Sequence, residues 1–151
     1  MAHNPVNHPA QPIYRAIGGL IGLYLVIFGI LGVIETSGGD FFAQNDTLVL
    51  GQGSNLGHSL ISAGLGAVIL IATGIGRNLD AAVNKRLAYV FMAIGLGCLA
   101  LLRTDANVFN FTIATCIVTM VIGLVLLAAG MYGKVGTDEE NRAWQEARLI
   151  L

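Results

Sequence analysis

The chain has 151 residues, of which 55% are hydrophobic and 11% are charged, and its formal net charge at pH 7 is -1. Soluble globular domains carry far more charge than this, so the composition indicates an integral membrane protein. Only eight residues are lysine or arginine, and they do not form the clustered basic surface that binds phosphates, which excludes nucleic-acid recognition.

The N-terminal segment contains three prolines and little charge, and it predicts a flexible tail over residues 1–15. The apolar run that follows, residues 16–34, is about as long as the ~20 residues that cross a bilayer. A cleaved signal peptide has an apolar core of only about 7–15 residues. We therefore interpret residues 16–34 as the first membrane-spanning helix.

The first loop, residues 35–55, is long for a helix hairpin and carries apolar residues, including Phe41 and Phe42. Such a loop usually folds over its own domain or contacts another molecule. We expect Phe41 and Phe42 to contact a partner protein, with anchoring in the lipid surface as the alternative.

Three further apolar runs follow at residues 56–76, 87–102 and 108–132, and none contains an ionised side chain. An unpaired backbone amide in lipid costs several kcal/mol, so only helices or a closed barrel can cross a membrane. A barrel requires alternating polarity, which these runs lack. The fold class is therefore an all-α integral membrane protein, with a four-transmembrane-helix antiparallel bundle over residues 16–134.

Lysine and arginine are unevenly distributed between the two predicted ends of the bundle. The third loop contains Arg103, and the first loop contains neither type. The other seven are Arg15, Arg77, Lys85, Arg86, Lys134, Arg142 and Arg148. Because cytoplasmic segments are enriched in basic residues, we predict a multi-pass protein of the cell membrane with both termini in the cytoplasm.

Glycines recur along one face of the first helix and again in the second. Small residues let helices approach closely in a membrane, where no hydrophobic force drives helices together. We predict helix-packing roles for Gly18, Gly22, Gly29, Gly32, Gly64 and Gly66. A compact bundle is the simpler interpretation of this pattern, and a dimer face is the alternative.

Helix two opens with Asn55-Leu56-Gly57-His58, and helix four opens with Asn107-Val108-Phe109-Asn110. Asparagine is a favoured N-cap because its side-chain oxygen accepts a free first-turn amide. We predict that both helices are capped where they begin, by Asn55, His58, Asn107 and Asn110. The recurrence is explained either by duplication of a hairpin or by capping alone.

Residues able to support chemistry are scarce in the predicted spans. His58 is the only histidine in a span, and a haem or metal site would need further ligands at the same depth, so we favour a cap or an interhelical hydrogen bond. Cys98 and Cys116 lie in apolar runs and are expected to behave as small hydrophobes, with a disulfide as the alternative. Transport would ordinarily require an ionisable group in mid-membrane, and the four predicted spans contain no Asp, Glu, Lys or Arg. We expect no catalytic, cofactor or metal site and no enzymatic activity.

The C-terminal segment, residues 135–151, begins with a capping box formed by Thr137 and Glu140. It predicts a short cytoplasmic amphipathic helix with Trp144, Ala147 and Leu151 on one stripe. A helix this short is marginal alone in water, so it must rest on the membrane or on a protein, and its acidic start favours a protein. Trp144 and Leu151 are therefore candidate partner contacts.

The Asn-x-x-His start of helix two and the segment from Asp105 to Asn110, with four glycine-rich spans, resemble a family of small four-helix membrane proteins of unknown function that is common in actinobacteria. This chain has Ser62 and Asn110 where the family pattern has further histidines. Such proteins are similar to accessory subunits of actinobacterial respiratory supercomplexes. The resemblance implies a non-catalytic accessory subunit of a larger membrane complex of the cytochrome c oxidase type, in contact with lipids; a small oligomeric channel or transporter is the alternative.

Overall fold

The computed structural model describes residues 5–149, with side chains through residue 147. Within these residues the helices are α1 (Gln11–Thr36), α2 (Leu56–Ile75), α3 (Leu79–Leu101), α4 (Ile113–Tyr132) and α5 (Asp138–Leu149). A short antiparallel ladder joins β1 (Leu48–Val49) to β2 (Gln52–Gly53) in the first loop. Helices α1 to α4 are each long and apolar enough to cross a membrane. The predicted four-helix membrane bundle, followed by a short C-terminal helix, is confirmed.

The bundle consists of two closely packed hairpins, α1 with α2 and α3 with α4, and α1 also packs on α4. Its core contains Leu25, Ile69, Ala88, Phe91, Ile122 and Leu126. Large apolar side chains such as Leu20, Ile71 and Leu96 point outward, each with more than half of its surface exposed. In a membrane this exposure carries no hydrophobic penalty, because lipid chains are as apolar as leucine.

Glycines bring α1 and α2 into backbone contact. A Cβ atom added to Gly29 would lie 2.5 Å from the Ser59 carbonyl oxygen, and one added to Gly66 would lie 2.6 Å from the Gly22 carbonyl oxygen. Gly18 and Gly32 face side chains of α3 and α2, respectively. Gly64 differs from its prediction, since a Cβ there would meet nothing within 4 Å. Gly64 lies two residues from Gly66, and this spacing places it on nearly the opposite face of α2.

The second hairpin closes in the same way, through glycines that the sequence analysis did not single out. A Cβ added to Gly123 would lie 2.9 Å from the Ala88 carbonyl oxygen, and one added to Gly130 would lie 2.5 Å from the Lys85 amide nitrogen. Gly123 and Gly130 are seven residues apart, a spacing that keeps them on one helix face. This spacing is the sequence signal that could have predicted their packing role.

Three helices begin at residues other than those predicted. Helix α1 begins at Gln11, where a proline in the first turn favours helical dihedral angles. Residues 5–10 are held against the C-terminal segment, since the Asn7 N–H donates to the Lys134 carbonyl over 3.1 Å. Helix α4 begins at Ile113 rather than near residue 108. A helix can extend past the point at which the chain becomes polar, as α1 does, whereas α4 begins later than its apolar run because Asn110 has a φ angle of 56°.

Helix α3 begins at Leu79 because the turn after α2 is very tight. Gly76, Arg77 and Asn78 have φ angles of 67°, 53° and 67°, and the Leu79 N–H donates to the Gly76 carbonyl over 2.8 Å. Positive φ at two central residues is typical of a type I′ turn. Four polar residues predicted to lie in a loop therefore belong to the first turns of α3: Asp80, Asn84, Lys85 and Arg86.

Candidate functional site

Polar residues gather at both ends of the bundle. We define the loop end as the end of the bundle that carries residues 37–55 and 102–112 with the adjoining helix turns, and the terminal end as the end that carries residues 5–10, 76–78 and 133–149 with the adjoining helix turns. Each end is a candidate functional region.

Asn55 organises the loop end. This fully buried side chain accepts a hydrogen bond from the His58 N–H at 3.0 Å, so Asn55 is the N-cap of α2. Its Nδ2 donates to the Ala43 carbonyl at 3.2 Å and to the Val108 carbonyl at 2.8 Å. One amide therefore caps a helix and ties the first and third loops together.

The ring of His58 is enclosed by other loop-end residues. Its Nδ1 lies 3.2 Å from the Ser54 hydroxyl, which in turn lies 3.0 Å from the Ser59 hydroxyl. The ring packs between Phe28 and Phe111, with centroid separations of 5.3 and 4.6 Å. Because Ser54 and Ser59 are both fully buried, this network stiffens the loop end rather than presenting a hydroxyl to a substrate.

Ser62, the position at which the resembled family carries a second histidine, lies beside His58. Both residues line a small cavity of about 60 Å³ between helices, together with Phe91 and Thr119. Thr119 donates to the carbonyl of Thr115 in its own helix at 2.7 Å. The cavity places one imidazole beside two hydroxyl-bearing residues, a set that suits hydrogen bonding.

Helix α4 is capped by residues other than those predicted. The N-cap is Thr112, which forms a capping box with Thr115. The same two hydroxyls hold β2, since Thr112 accepts from the Gly53 N–H at 3.2 Å and Thr115 donates to the Gly53 carbonyl at 3.1 Å. The start of α4 is thereby fastened to the first loop.

Asn107 and Asn110 instead hold the third loop. Asn107 exchanges two hydrogen bonds of 2.9 Å with the backbone of Phe111. Asn110 has a φ angle of 56° and donates to the backbone carbonyls of Asn45 at 2.8 Å and Ser54 at 3.2 Å. A left-handed residue cannot continue a helix, and asparagine tolerates this conformation well. The prediction that Asn107 and Asn110 cap helix four is therefore wrong.

Aromatic residues cover the outside of the loop end. The rings of Phe41 and Phe42 meet edge to face at 4.7 Å, and Phe109 lies 6.0 Å from Phe42. We name Phe41, Phe42 and Phe109 the aromatic patch. Phe41 also packs against Gly57, whereas the side of Phe42 away from its neighbours is open, with 52% of the residue exposed.

At the terminal end, Arg15 of α1 forms an ion pair with Asp80 of α3. The Arg15 Nε lies 3.4 Å from the Asp80 Oδ2, and the guanidinium also donates to the Thr73 carbonyl of α2. The Asp80 carboxylate is buried, whereas Arg15 is partly exposed. One turn further along α3, Asn84 is 1% exposed, and its Oδ1 has no hydrogen-bond partner among the described residues.

The Arg15–Asp80 pair joins two residues that the sequence analysis placed outside the spans, Arg15 in the N-terminal tail and Asp80 in a loop, and the structure places both in helices. Asp80 was not considered as a helix residue because the predicted loop included it. The spacing of four between Asp80 and Asn84, which puts both on one helix face, is a signal that could have indicated the longer helix. An acid inside a membrane helix is a functional-site hypothesis by default. Asp80 is the second residue of α3, so the pair lies at the end of a span rather than at its middle.

Two cavities flank Asn78 at the terminal end. One, of about 430 Å³, is lined by Gln11, Arg15, Arg77, Asn78, Asp80 and Val135. The other, of about 480 Å³, is lined by Pro5, Val6, Asn78, Ala81, Ala82, Lys85, Gly130, Met131, Lys134 and Trp144. Asn78 lines both, and its side chain exchanges two hydrogen bonds with the Val135 backbone, at 2.7 and 2.6 Å.

Helix α5 begins where predicted, and Thr137 accepts from the Glu140 N–H at 3.2 Å, which is one half of the predicted capping box. The Glu140 carboxylate lies 3.2 Å from the Lys134 ammonium. Trp144 lines the larger cavity and keeps 40% of its surface exposed. Leu151, the other predicted contact of this segment, lies outside the described residues.

The fold defines the class of protein, a multi-pass membrane protein. Comparison of the chain with protein-family models, characterised proteins and solved structures finds no match. Both cysteines are free thiols, and within residues 5–149 no three His, Cys, Asp or Glu side chains are grouped closely enough to hold a metal ion.

Proposed function

We propose that this protein is a non-catalytic accessory subunit that packs against a larger membrane complex. The observation that carries the proposal is the folded first loop. Asn55 fixes its backbone, while Phe42, Leu48 and Leu50 each expose more than half of their surface. Aromatic residues on a rigid frame outside the bundle are typical of protein interfaces, because little conformational entropy is lost on binding.

The proposal includes a respiratory complex of the cytochrome c oxidase type as the partner. Support for this part is the resemblance of the Asn55 to His58 segment and the glycine-rich spans to the actinobacterial four-helix family. It also includes the cell membrane as the location, with both termini in the cytoplasm. Support for that orientation is the gathering of Arg15, Arg77 and Lys85 at the terminal end, since cytoplasmic ends are enriched in such residues.

Purification from native membranes in mild detergent, followed by mass spectrometry, tests the subunit proposal. We expect a much larger assembly to co-purify. Phe42→Ser should weaken this association, and so should deletion of residues 138–151. Leu96→Ser is the control, since Leu96 is also an exposed apolar residue, at 64% against 52% for Phe42, but lies in a membrane helix rather than in the first loop. The proposal fails if the wild-type protein runs as a single small species.

A small channel or transporter is the second candidate, and the Arg15–Asp80 pair favours it. Arg15 and Asp80 both line a cavity at the terminal end, and one turn further along α3 the Asn84 Oδ1 has no hydrogen-bond partner among the described residues. Against it, Thr73 donates to Ile69 of its own helix, which removes one hydroxyl from any polar path. Ion flux into liposomes that Asp80→Asn abolishes would favour this candidate over the subunit proposal.

A further inference from the structure

The larger cavity at the terminal end combines positive charge with apolar walls. Its charged lining residues are Lys85 and Lys134, and none of the described residues that line it is acidic. Its remaining wall is largely apolar and includes Val6, Ala81 and Met131. We name this the lysine cleft, and we infer that it binds the phosphate group of an anionic membrane phospholipid.

The position of the lysine cleft suits a lipid headgroup. It lies where α3 begins and α4 ends, which is the depth at which a bilayer changes from hydrocarbon to headgroups. Trp144 closes one side, and tryptophan prefers this interfacial region because its ring is apolar and its N–H is polar. Lysine stems can follow apolar surface while their ammonium groups reach a phosphate.

The cleft is built before any ligand binds. Gly130 lets α4 pack directly against the backbone of Lys85, which fixes the two helices that line the cleft relative to each other. Asn78 exchanges hydrogen bonds with Val135, and Asn7 exchanges another pair with Gly136 at 3.0 and 3.1 Å. These four hydrogen bonds hold the segment before α5 beside the cleft. A site that is already ordered loses less conformational entropy when a ligand binds.

Size and charge indicate which part of a lipid the cleft accepts. A volume of about 480 Å³ lies within the ~300–1,000 Å³ typical of small-molecule sites, enough for a phosphate with its glycerol. Lys134 already pairs with Glu140, but both side chains are about half exposed, so that pair is weak and can exchange for a phosphate. The inference does not depend on the accessory-subunit proposal, because a lone protein would bind the lipid equally.

Titration of the full-length protein in a neutral detergent, read by native mass spectrometry, tests this inference. We expect dioleoylphosphatidylglycerol to bind more tightly than dioleoylphosphatidylcholine, which has the same chains. Lys85→Gln and Lys134→Gln should each weaken phosphatidylglycerol binding about fivefold, as expected for one lysine near an anionic headgroup. Lys85→Arg keeps the charge and should retain binding, which separates loss of charge from loss of fold.

Two controls separate the lysine cleft from general charge effects. Arg103→Gln, at the loop end, should leave phosphatidylglycerol binding unchanged. Glu140→Gln releases Lys134 and should preserve or strengthen binding; weakening as large as that of Lys134→Gln would overturn the assignment of Lys134. Equal affinity for the two lipids, or full binding by the Lys85→Gln/Lys134→Gln double variant, overturns the site.

Inorganic phosphate distinguishes a lipid from a soluble phosphate ligand. We expect millimolar phosphate to leave the bound phosphatidylglycerol in place, because phosphate cannot use the apolar wall or Trp144. Displacement of the lipid by phosphate would show that the cleft takes a soluble anion, and the lipid assignment would be wrong.

Discussion

The two ends of the bundle use polar residues in opposite ways. At the loop end the buried polar groups are neutral: the Ser54 hydroxyl bonds that of Ser59, and Asn55 and Thr115 donate to backbone carbonyls. At the terminal end charged groups are present as well, since Arg15 and Asp80 form an ion pair and both line a cavity. Neutral groups can be buried once hydrogen-bonded, whereas charges are costly to remove from water. The loop end is therefore suited to rigid contact and the terminal end to ligands.

The largest expected effect on stability is at the close contact between α1 and α2. Gly29→Leu places a side chain against the Ser59 carbonyl and should destabilise the protein by about 3 kcal/mol or more, since overpacking a close contact forces the backbones apart. Thermal unfolding in detergent measures the change. Gly64→Leu is the matched control on α2, and its open surroundings predict almost no change. Equal losses for both variants would contradict the packing described above.

At the loop end, Asn55→Ala removes the cap of α2 and leaves two loop carbonyls without their donor. We expect a loss of about 2–4 kcal/mol, from a cap of about 1 kcal/mol and from unpaired buried groups. Hydrogen exchange should show faster exchange in the first and third loops together. Exchange confined to the first turn of α2 would mean that Asn55 acts as a cap alone.

At the terminal end, Asp80→Asn should cost less than Asn55→Ala. Loss of the carboxylate leaves Arg15 without its ion-pair partner, but that side chain is partly exposed and retains its bond to the Thr73 carbonyl. We expect about 1–2 kcal/mol, below the ~3–5 kcal/mol of a fully buried pair. Thermal unfolding measures this loss. If Asp80→Asn lowered the free energy of unfolding more than Asn55→Ala does, the terminal end would depend on its polar contacts more than the loop end, contrary to this prediction.

The last prediction concerns the orientation of the protein in the membrane, and its substitutions should change stability least. In a Cys98→Ser/Cys116→Ser background, we expect a membrane-impermeant thiol reagent to label Gln44→Cys in intact cells and to leave Gln145→Cys unlabelled, because basic residues gather at the terminal end. Both positions are exposed, so access to the reagent depends on the side of the membrane. The opposite labelling pattern would place the lysine cleft outside the cell.

Local signals in the sequence predicted some of these features well. Asn55 was found because an N-cap bonds an amide only three residues away. Asn110 was assigned wrongly because its left-handed φ depends on partners in the first loop, 56 and 65 residues away along the chain. Asp80 was placed in a loop because its polarity suggested water, whereas its partner is Arg15 of another helix.

The sequence by itself determined the four-helix membrane fold, because runs of about 20 apolar residues can satisfy their backbone in lipid only as helices. It also located glycines on helix faces by their spacing. Only the tertiary structure decided which glycines face a neighbour, where Gly66 and Gly64 of the same helix differ completely. It alone brought Lys85, Lys134 and Trp144 around one cavity, because contacts between residues so distant in the chain depend on how the helices pack.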